Sequence, residues 1–130
     1  MSFKFGKKSK IELEKVDPRL KELMEDVLKI SPIDITITEG LRSSLRQEEL
    51  VKEGKSKTLN SKHLKGKALD FAPCKQGWVN FSREDAIFLS GFILAVARMK
   101  GLKVRVGAIW DHEFITDNSF VDAFHVELVD

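Results

Sequence analysis

Three short segments of this chain alternate apolar and polar residues, which is typical of β-strands with one buried face. They are residues 33–38, 103–108 and 124–128. Two longer segments, residues 17–30 and 83–100, repeat apolar residues at helical spacing. Because the apolar face of a sheet must be covered, these patterns predict an α+β fold with helices packed on one face of a small, mainly antiparallel sheet.

The ends of both predicted helices carry capping signals. Asp17 precedes a proline at the first helical position, and Ser31 precedes a proline that keeps it out of the α region. Ser82 opens a sequence similar to a capping box, and Gly101 ends the second helix. Apolar residues surround most of the circumference of this second helix, so we expect it to be central and largely buried.

Between these helices, the sequence predicts one more helix and one more strand. Ser43 or Ser44 can cap a helix that runs to about Lys52. Residues 68–72 form the predicted strand, which Pro73 is expected to close. The polar segments are expected to be loops, namely residues 55–62, 74–81 and 111–122.

The length and composition are those of an ordinary globular protein. With 130 residues, the chain suits one domain, which we expect to span residues 1–130. Hydrophobic residues make up 42% and charged residues 32%, which argues against a disordered chain. The longest apolar stretch, residues 86–99, is shorter than the ~20 residues that span a bilayer. We therefore expect no membrane span, and the N-terminus lacks the apolar run of a signal peptide.

The charge and the single cysteine indicate no special partner. A net charge of +2 is too mild to indicate nucleic acid. The chain has no tyrosine, and its basic clusters show no regular interleaving with aromatic residues, so no nucleic-acid partner is expected. Cys74 cannot form an intrachain disulfide, and we expect a small, partly buried side chain rather than a nucleophile.

Strand alternation places an acid and a histidine on faces away from the core. In the strand at residues 68–72, Asp70 lies on the opposite face from its two apolar neighbours, between two alanines. In the last strand, His125 and Glu127 share one face. The residues expected in the core are Leu69, Phe71, Phe124, Val126 and Leu128.

Two histidines and one carboxylate form the set of ligands that a catalytic zinc ion uses, with a fourth position left for water. His63, Asp70 and His125 supply this set, and Gly66 allows the tight turn that brings the first two together. Each residue alone has a structural alternative, since a single histidine on a strand is more often structural. Their joint occurrence predicts one Zn²⁺ ion, although cobalt or manganese could replace it.

Hydrolysis also needs a base and a group that stabilises charge. Asp122, three residues before His125, can reach the attacking water without binding the metal, and is the predicted catalytic base. Arg42 is the predicted catalytic partner that stabilises the oxyanion or pairs with a substrate carboxylate. Glu127 is expected to act as a partner of a ligand or as a rim charge, because two residues along a strand span about 7 Å.

Two residues near the predicted loop keep alternative interpretations. His112 is expected to be solvated, with a supporting or substrate-contacting role as the alternative. Trp110 can belong to the core or can line the substrate cleft, and the sequence favours neither.

The motifs Ser61-x-His63-x-x-Gly66-x-Ala68-x-Asp70 and Asp122-x-x-His125 resemble the metal-binding pattern of the D-Ala-D-Ala carboxypeptidase and L-alanyl-D-glutamate endopeptidase family. Gly40-x-Arg42-Ser43 with Gln47 also resembles the upstream motif of that family. Both ends of the chain are similar to single-domain endolysins of phages that infect Gram-negative bacteria.

This resemblance implies a fold of the hedgehog/DD-peptidase type and a zinc peptidase that cleaves the L-alanyl-D-glutamate bond of peptidoglycan during host lysis. It implies zinc ligands at His63, Asp70 and His125, a base at Asp122, and an arginine near the substrate at Arg42. Ser61 and Trp110 are further predicted substrate contacts. Relatives often have glutamate at the position of Asp122. The segment around Trp110 is short, which puts any additional ion site in doubt.

The resemblance also implies a monomer that stays in the host cytoplasm until it is released to act on the periplasmic cell wall. Two alternatives remain open. One is a D-Ala-D-Ala carboxypeptidase, and the other is a non-catalytic zinc-binding domain of the same fold, which would lack the base at Asp122.

Overall fold

The computed structural model describes residues 3–56, 58–109 and 122–129. The helices are α1 Lys7–Glu14, α2 Pro18–Ile30, α3 Ser44–Lys52 and α4 Arg83–Met99. The strands are β1 Asp34–Glu39, β2 Ala68–Lys75, β3 Trp78–Val79, β4 Val104–Val106 and β5 His125–Leu128. Short 3₁₀ helices lie at Lys62–Lys65 and Gly107–Ile109.

The strands form one antiparallel sheet, which confirms the predicted α+β architecture. Its order is β1-β2-β5-β4, and β3 pairs with the far end of β2. Helices α2 and α4 contact each other, and α4 also contacts β2 and β4. Among the described helices, none is long and apolar enough to cross a membrane.

The core lies between the sheet and these two helices. Alternation along the strands directs one apolar face of the sheet toward it, as predicted. Fully buried core side chains include Leu20, Leu23, Met24, Val27, Ile37, Leu69, Phe71, Leu89, Ile93, Val126 and Leu128. The opposite face of β2 and β5 carries Asp70 and His125.

The predicted caps of three helices are confirmed. The Asp17 side chain accepts a hydrogen bond from the backbone N–H of Arg19 at 2.9 Å, and a proline follows at the first position of α2. Ser43, rather than Ser44, caps α3, and Ser82 caps α4. Each hydroxyl accepts from a backbone N–H that has no partner within its helix.

The prediction that Pro73 ends the second strand is wrong, because β2 continues to Lys75. Pro73 lies opposite Ile35 of β1, and its carbonyl accepts a hydrogen bond from the Asn80 N–H at 2.8 Å on the other side. An N–H at this position would point to that same side. There, Pro73 lies between the part of β2 that pairs with β5 and the part that pairs with β3. The missing donor therefore costs no bond to β1.

Residues 74–81, predicted as a loop, instead contain a hairpin. Trp78 and Val79 of β3 pair with Lys75 and Cys74 across a two-residue turn. Both turn residues have positive φ, 53° at Gln76 and 84° at Gly77, which is the backbone of a type I′ turn. Glutamine is uncommon at such a position, so the sequence carries only half of the usual signal.

Helix α4 is not buried on all sides, contrary to the prediction. Phe88 is 48% exposed and Met99 is 86% exposed. The sheet and α2 cover only one side of the helix, and no further layer of the described residues covers the other.

Phe124, which was expected in the core, lies outside it and is half-buried against the ring of Phe81. The residues just before His125 form a turn, so strand alternation does not extend to Phe124.

Two further boundaries differ from the sequence pattern. Strand β4 ends at Val106, where a 3₁₀ helix begins, rather than continuing to residue 108. Helix α1 has no predicted counterpart, because only Ser9 and Leu13 in it are buried. Most of the predicted loop at residues 111–122 lies outside the described residues.

We expect Gly66→Ala to destabilise the protein more than Gly54→Ala. Both glycines have left-handed φ, 67° and 75°, which costs about 1–2 kcal/mol for an L side chain. At Gly66 a Cβ would also lie 3.1 Å from the backbone oxygen of Lys15, whereas at Gly54 nothing lies within 4 Å. The free energy of unfolding of both variants, measured in urea, tests this, and equal losses would contradict the crowding at Gly66.

Candidate metal centre

Three side chains from three elements meet at one end of the sheet. His63 lies in the 3₁₀ helix before β2, Asp70 lies in β2, and His125 begins β5. The Ser61 hydroxyl accepts a hydrogen bond from the His63 N–H at 3.2 Å, and Gly66 ends the 3₁₀ helix in the left-handed conformation. These two residues hold the short turn that carries His63 beside the strand.

The register of the two central strands places Asp70 directly opposite His125. The neighbouring Phe71 N–H donates to the Phe124 carbonyl at 2.9 Å, so the ladder bonds lie on either side of the Asp70–His125 pair rather than within it. In antiparallel sheets, side chains of such a non-hydrogen-bonded pair approach each other most closely. The strands therefore set the separation of these two groups.

The three potential ligand atoms are nearly equidistant. His63 Nε2 lies 3.2 Å from Asp70 Oδ1 and 3.3 Å from His125 Nδ1, and the last two atoms are 3.1 Å apart. A tetrahedral zinc ion at about 2.0–2.1 Å from each donor separates neighbouring donors by about 3.3 Å. The spacing therefore fits a metal ion with a tetrahedral shell.

The other ring nitrogen of each histidine has its own acceptor. His63 Nδ1 donates to the Gly40 carbonyl at 2.8 Å, and His125 Nε2 donates to Glu127 Oε1 at 2.9 Å. In a neutral ring, the remaining nitrogen of each histidine then carries a lone pair, and both of these nitrogens face the Asp70 carboxylate. Three acceptors that converge without a proton need a cation between them.

The pKa values of the metal-free site indicate the same requirement. Burial lowers the pKa of His125, but its hydrogen bonds to Asp70 and Glu127 outweigh this and raise it to about 9. Burial raises the pKa of Asp70, yet hydrogen bonds from His125 and His63 hold it well below its usual range. Without a metal, a proton on His125 supplies the positive charge.

Glu127 is the partner of His125, which is the role predicted for it. Its carboxylate also pairs with Arg105 Nη2 at 3.1 Å and with Lys62 Nζ at 3.3 Å. Burial raises the pKa of Glu127, but the hydrogen bond from His125 and these cations lower it to about 2. The ionised carboxylate fixes the tautomer and the orientation of the His125 ring.

Arg42 lies beside the second oxygen of Asp70. Its Nη2 atom is 3.5 Å from Asp70 Oδ2, while its Nε donates to Glu39 at 2.9 Å. The Arg42 side chain is only 8% exposed, and its backbone N–H donates to the His63 carbonyl. Arg42 therefore borders the site beside the carboxylate oxygen of Asp70 that does not bond to the histidines.

Asp122 lines the same cavity as the three potential ligands. One of its carboxylate oxygens accepts a hydrogen bond from the Phe124 N–H at 3.1 Å, which leaves the other oxygen able to accept a proton. Burial and the negative charge of Asp70 raise the pKa of Asp122 above its ordinary value. A carboxylate with a raised pKa is a better proton acceptor.

The cavity has a volume of about 690 Å³ and extends from the three ligand atoms toward α3. Ser61, predicted to contact substrate, lines it and also supports His63. Beyond the site it is bordered by Arg46, Leu50, Lys55, Ser56, Thr58 and Asn60. Trp110 and His112, for which roles were considered, lie outside the described residues.

Comparison with known proteins places this chain in a family. The model of the phage L-alanyl-D-glutamate peptidase family matches residues 1–129. The chain belongs to this family. It is 34% identical, over 99% of its length and 100% of the relative, to the L-alanyl-D-glutamate peptidase of Escherichia phage T5. The crystal structure of the Serratia marcescens L-Ala D-Glu endopeptidase ChiX matches with a TM-score of 0.84 and 29% identity, covering 97% of this chain and 90% of that one.

The sequence did not predict which side chains contact Arg42 and Glu127. Glu39 and Gln47 bond to Arg42, and Lys62 and Arg105 pair with Glu127. A signal existed for Arg105, since it lies between two apolar residues of a strand and therefore on the site's face of the sheet.

We expect the metal-free protein to take up one zinc ion per chain and His63→Ala or His125→Ala to abolish this uptake. Each variant removes one of the three converging donors. His112→Ala is the matched control, because it removes the remaining histidine. Titration with zinc, followed by elemental analysis of the desalted protein, measures the stoichiometry. Equal loss of zinc in the control would contradict the assignment.

Metal binding should release about one proton at pH 7.5. Because the raised pKa of His125 means that a proton occupies the site below about pH 9, a metal ion must displace it. Affinity should therefore fall by about tenfold per unit as pH decreases below 9. Calorimetric titrations in buffers with different ionisation enthalpies measure the released proton, and an affinity independent of pH from 7 to 9 would contradict this.

Proposed function

We propose that this protein uses one zinc ion, held by His63, Asp70 and His125, to hydrolyse the L-alanyl-D-glutamate bond of peptidoglycan stem peptides. The observation that carries this proposal is the convergence of one potential ligand atom from each of these three residues, in a cavity that Asp122 also lines. The bond is the one named for the family and for the two relatives described above. Two imidazoles and one carboxylate suit zinc best.

A zinc ion in such a site acts as a Lewis acid that polarises the substrate carbonyl and makes water acidic near neutral pH. Asp122 accepts the proton of the attacking water at its free carboxylate oxygen and passes it to the leaving amino group of D-glutamate. The hydrogen bond from the Phe124 N–H restrains the Asp122 carboxylate, which lines the cavity. The raised pKa of Asp122 favours the first of these transfers, because it makes the carboxylate a stronger base.

Arg42 has two functions in this proposal. Its guanidinium fixes the second oxygen of Asp70, so that only Oδ1 faces the histidines. It also lines the cavity, where it can stabilise the negative charge that develops on the cleaved carbonyl or can bind a carboxylate of the stem peptide. Ser61 lines the cavity beside it and is a further substrate contact.

We further infer that the peptidase acts in host lysis, in keeping with the phage family to which the chain belongs. In this role it would reach peptidoglycan after release from the host cytoplasm.

Incubation of purified Gram-negative cell-wall sacculi with the protein tests the substrate directly. Mass spectrometry should detect new peptides that begin with D-glutamate. Loss of a terminal D-alanine alone would indicate a D-Ala-D-Ala carboxypeptidase instead.

We expect Asp122→Asn to lower kcat by about 10²–10⁴-fold while leaving one zinc ion bound, because the amide cannot accept a proton. Asp122→Glu keeps a carboxylate and should restore part of the activity. Rates of muropeptide cleavage, together with zinc content, measure both effects. An Asp122→Asn variant with full activity would show that another group is the base. A wild-type protein that binds zinc but cleaves no muropeptide would instead indicate a non-catalytic binding domain.

A further inference from the structure

The most buried polar side chain of the described residues, Gln47, lies outside the metal centre and has no role in the chemistry described so far. Gln47 of α3 is fully buried, although α3 lies at the rim of the cavity. A polar side chain in such a position is costly unless its hydrogen-bonding groups are satisfied. At Gln47 they are all used.

The amide of Gln47 connects two parts of the cavity wall. Its Oε1 accepts a hydrogen bond from Arg42 Nη1 at 2.7 Å. Its Nε2 donates to Ser56 Oγ at 2.9 Å and to the Thr58 carbonyl at 2.6 Å. Because Arg42 can only donate and the Thr58 carbonyl can only accept, the orientation of the amide is determined by its partners.

The bond from Gln47 completes the support of the Arg42 guanidinium. Glu39 holds the Nε edge of Arg42, and Asp70 lies beside Nη2. Without Gln47, Nη1 would lose its hydrogen bond, and only the contacts with Glu39 and Asp70 would hold the guanidinium. The guanidinium could then rotate about these contacts. The two glutamine contacts on the other side tie it to residues 56 and 58, which also line the cavity.

We propose that Gln47 is a positioning residue, which holds Arg42 and the cavity wall at residues 56 and 58 in one arrangement for the substrate. This rests on the function proposed above, since it assumes that Arg42 contacts the reacting peptide. Among the described residues, Gln47 hydrogen-bonds to Arg42, Ser56 and Thr58 and not to the three potential metal ligands. It acts through Arg42, and its contribution disappears when the guanidinium is absent.

The test compares Gln47→Leu with Glu48→Leu. Glu48 is exposed on the next position of the same helix and does not line the cavity. Gln47→Leu should lower kcat about 10–100-fold, because a displacement near 1 Å can cost about that much, with a smaller change in KM and one zinc ion retained. Glu48→Leu should cleave muropeptides as the wild type does. Equal kcat in the two variants would overturn the proposal.

Two further variants distinguish positioning from loss of stability. Gln47→Glu keeps the oxygen that accepts from Arg42 and should retain more of kcat than Gln47→Leu. In an Arg42→Lys background, Gln47→Leu should cause little additional loss, because the group through which it acts is gone. Losses that multiply in the double variant would overturn the proposal, as would a decrease in kcat that follows the thermal stability of all the variants.

A second measurement does not depend on activity. The Arg42 guanidinium protons should exchange with water at least about tenfold faster in Gln47→Leu than in the wild type, because a buried hydrogen bond that protects them is lost. NMR of the zinc-loaded protein records these protons. If the wild type cleaves no muropeptide, the proposed function fails, and this exchange rate alone decides the role of Gln47. Unchanged exchange would overturn it.

Discussion

The pairing of β2 with β5 determines where the charges of this protein can meet. Asp70 and His125 face each other across these two central strands, in the type of pair whose side chains lie closest. Their neighbours Leu69 and Val126 are fully buried on the other face. A slip of one residue would exchange these faces, so that the carboxylate would enter the core. The strand register that buries the core residues is therefore the same register that brings Asp70 and His125 together.

The connection between α1 and α2 supports this arrangement from outside the sheet. Gly40, whose carbonyl orients His63, donates its own N–H to Glu12 of α1 at 3.0 Å. A Cβ at Gly40 would lie 2.7 Å from Val16, so the backbone can approach only because this residue is glycine. Gly66 accepts a hydrogen bond from the Asp17 N–H in the same region. An N-terminal helix with few buried residues thus contributes to the position of a potential metal ligand.

Sequence patterns predicted the elements whose signal is local. The alternation around Ile35 and Ile37 and the caps at Asp17 and Ser82 were sufficient for β1, α2 and α4. Alternation also placed Asp70 away from the core. The hairpin at Gln76 was missed because its first turn residue is atypical. The bonds of Gln47 were missed because they depend on how α3 packs beside residues 56 and 58, which no spacing along the chain encodes.

The separation of the ligands along the chain has a consequence for folding. His63 and His125 are 62 positions apart, so an ion that binds both closes a loop of nearly half the chain. Such a link acts as a reversible cross-link, which restricts the unfolded chain much as a disulfide does, although this protein has only one cysteine. Its strength follows the free concentration of the ion rather than the redox state of the compartment. The zinc supply would then set the resistance of this protein to heat and to proteases, as well as its activity.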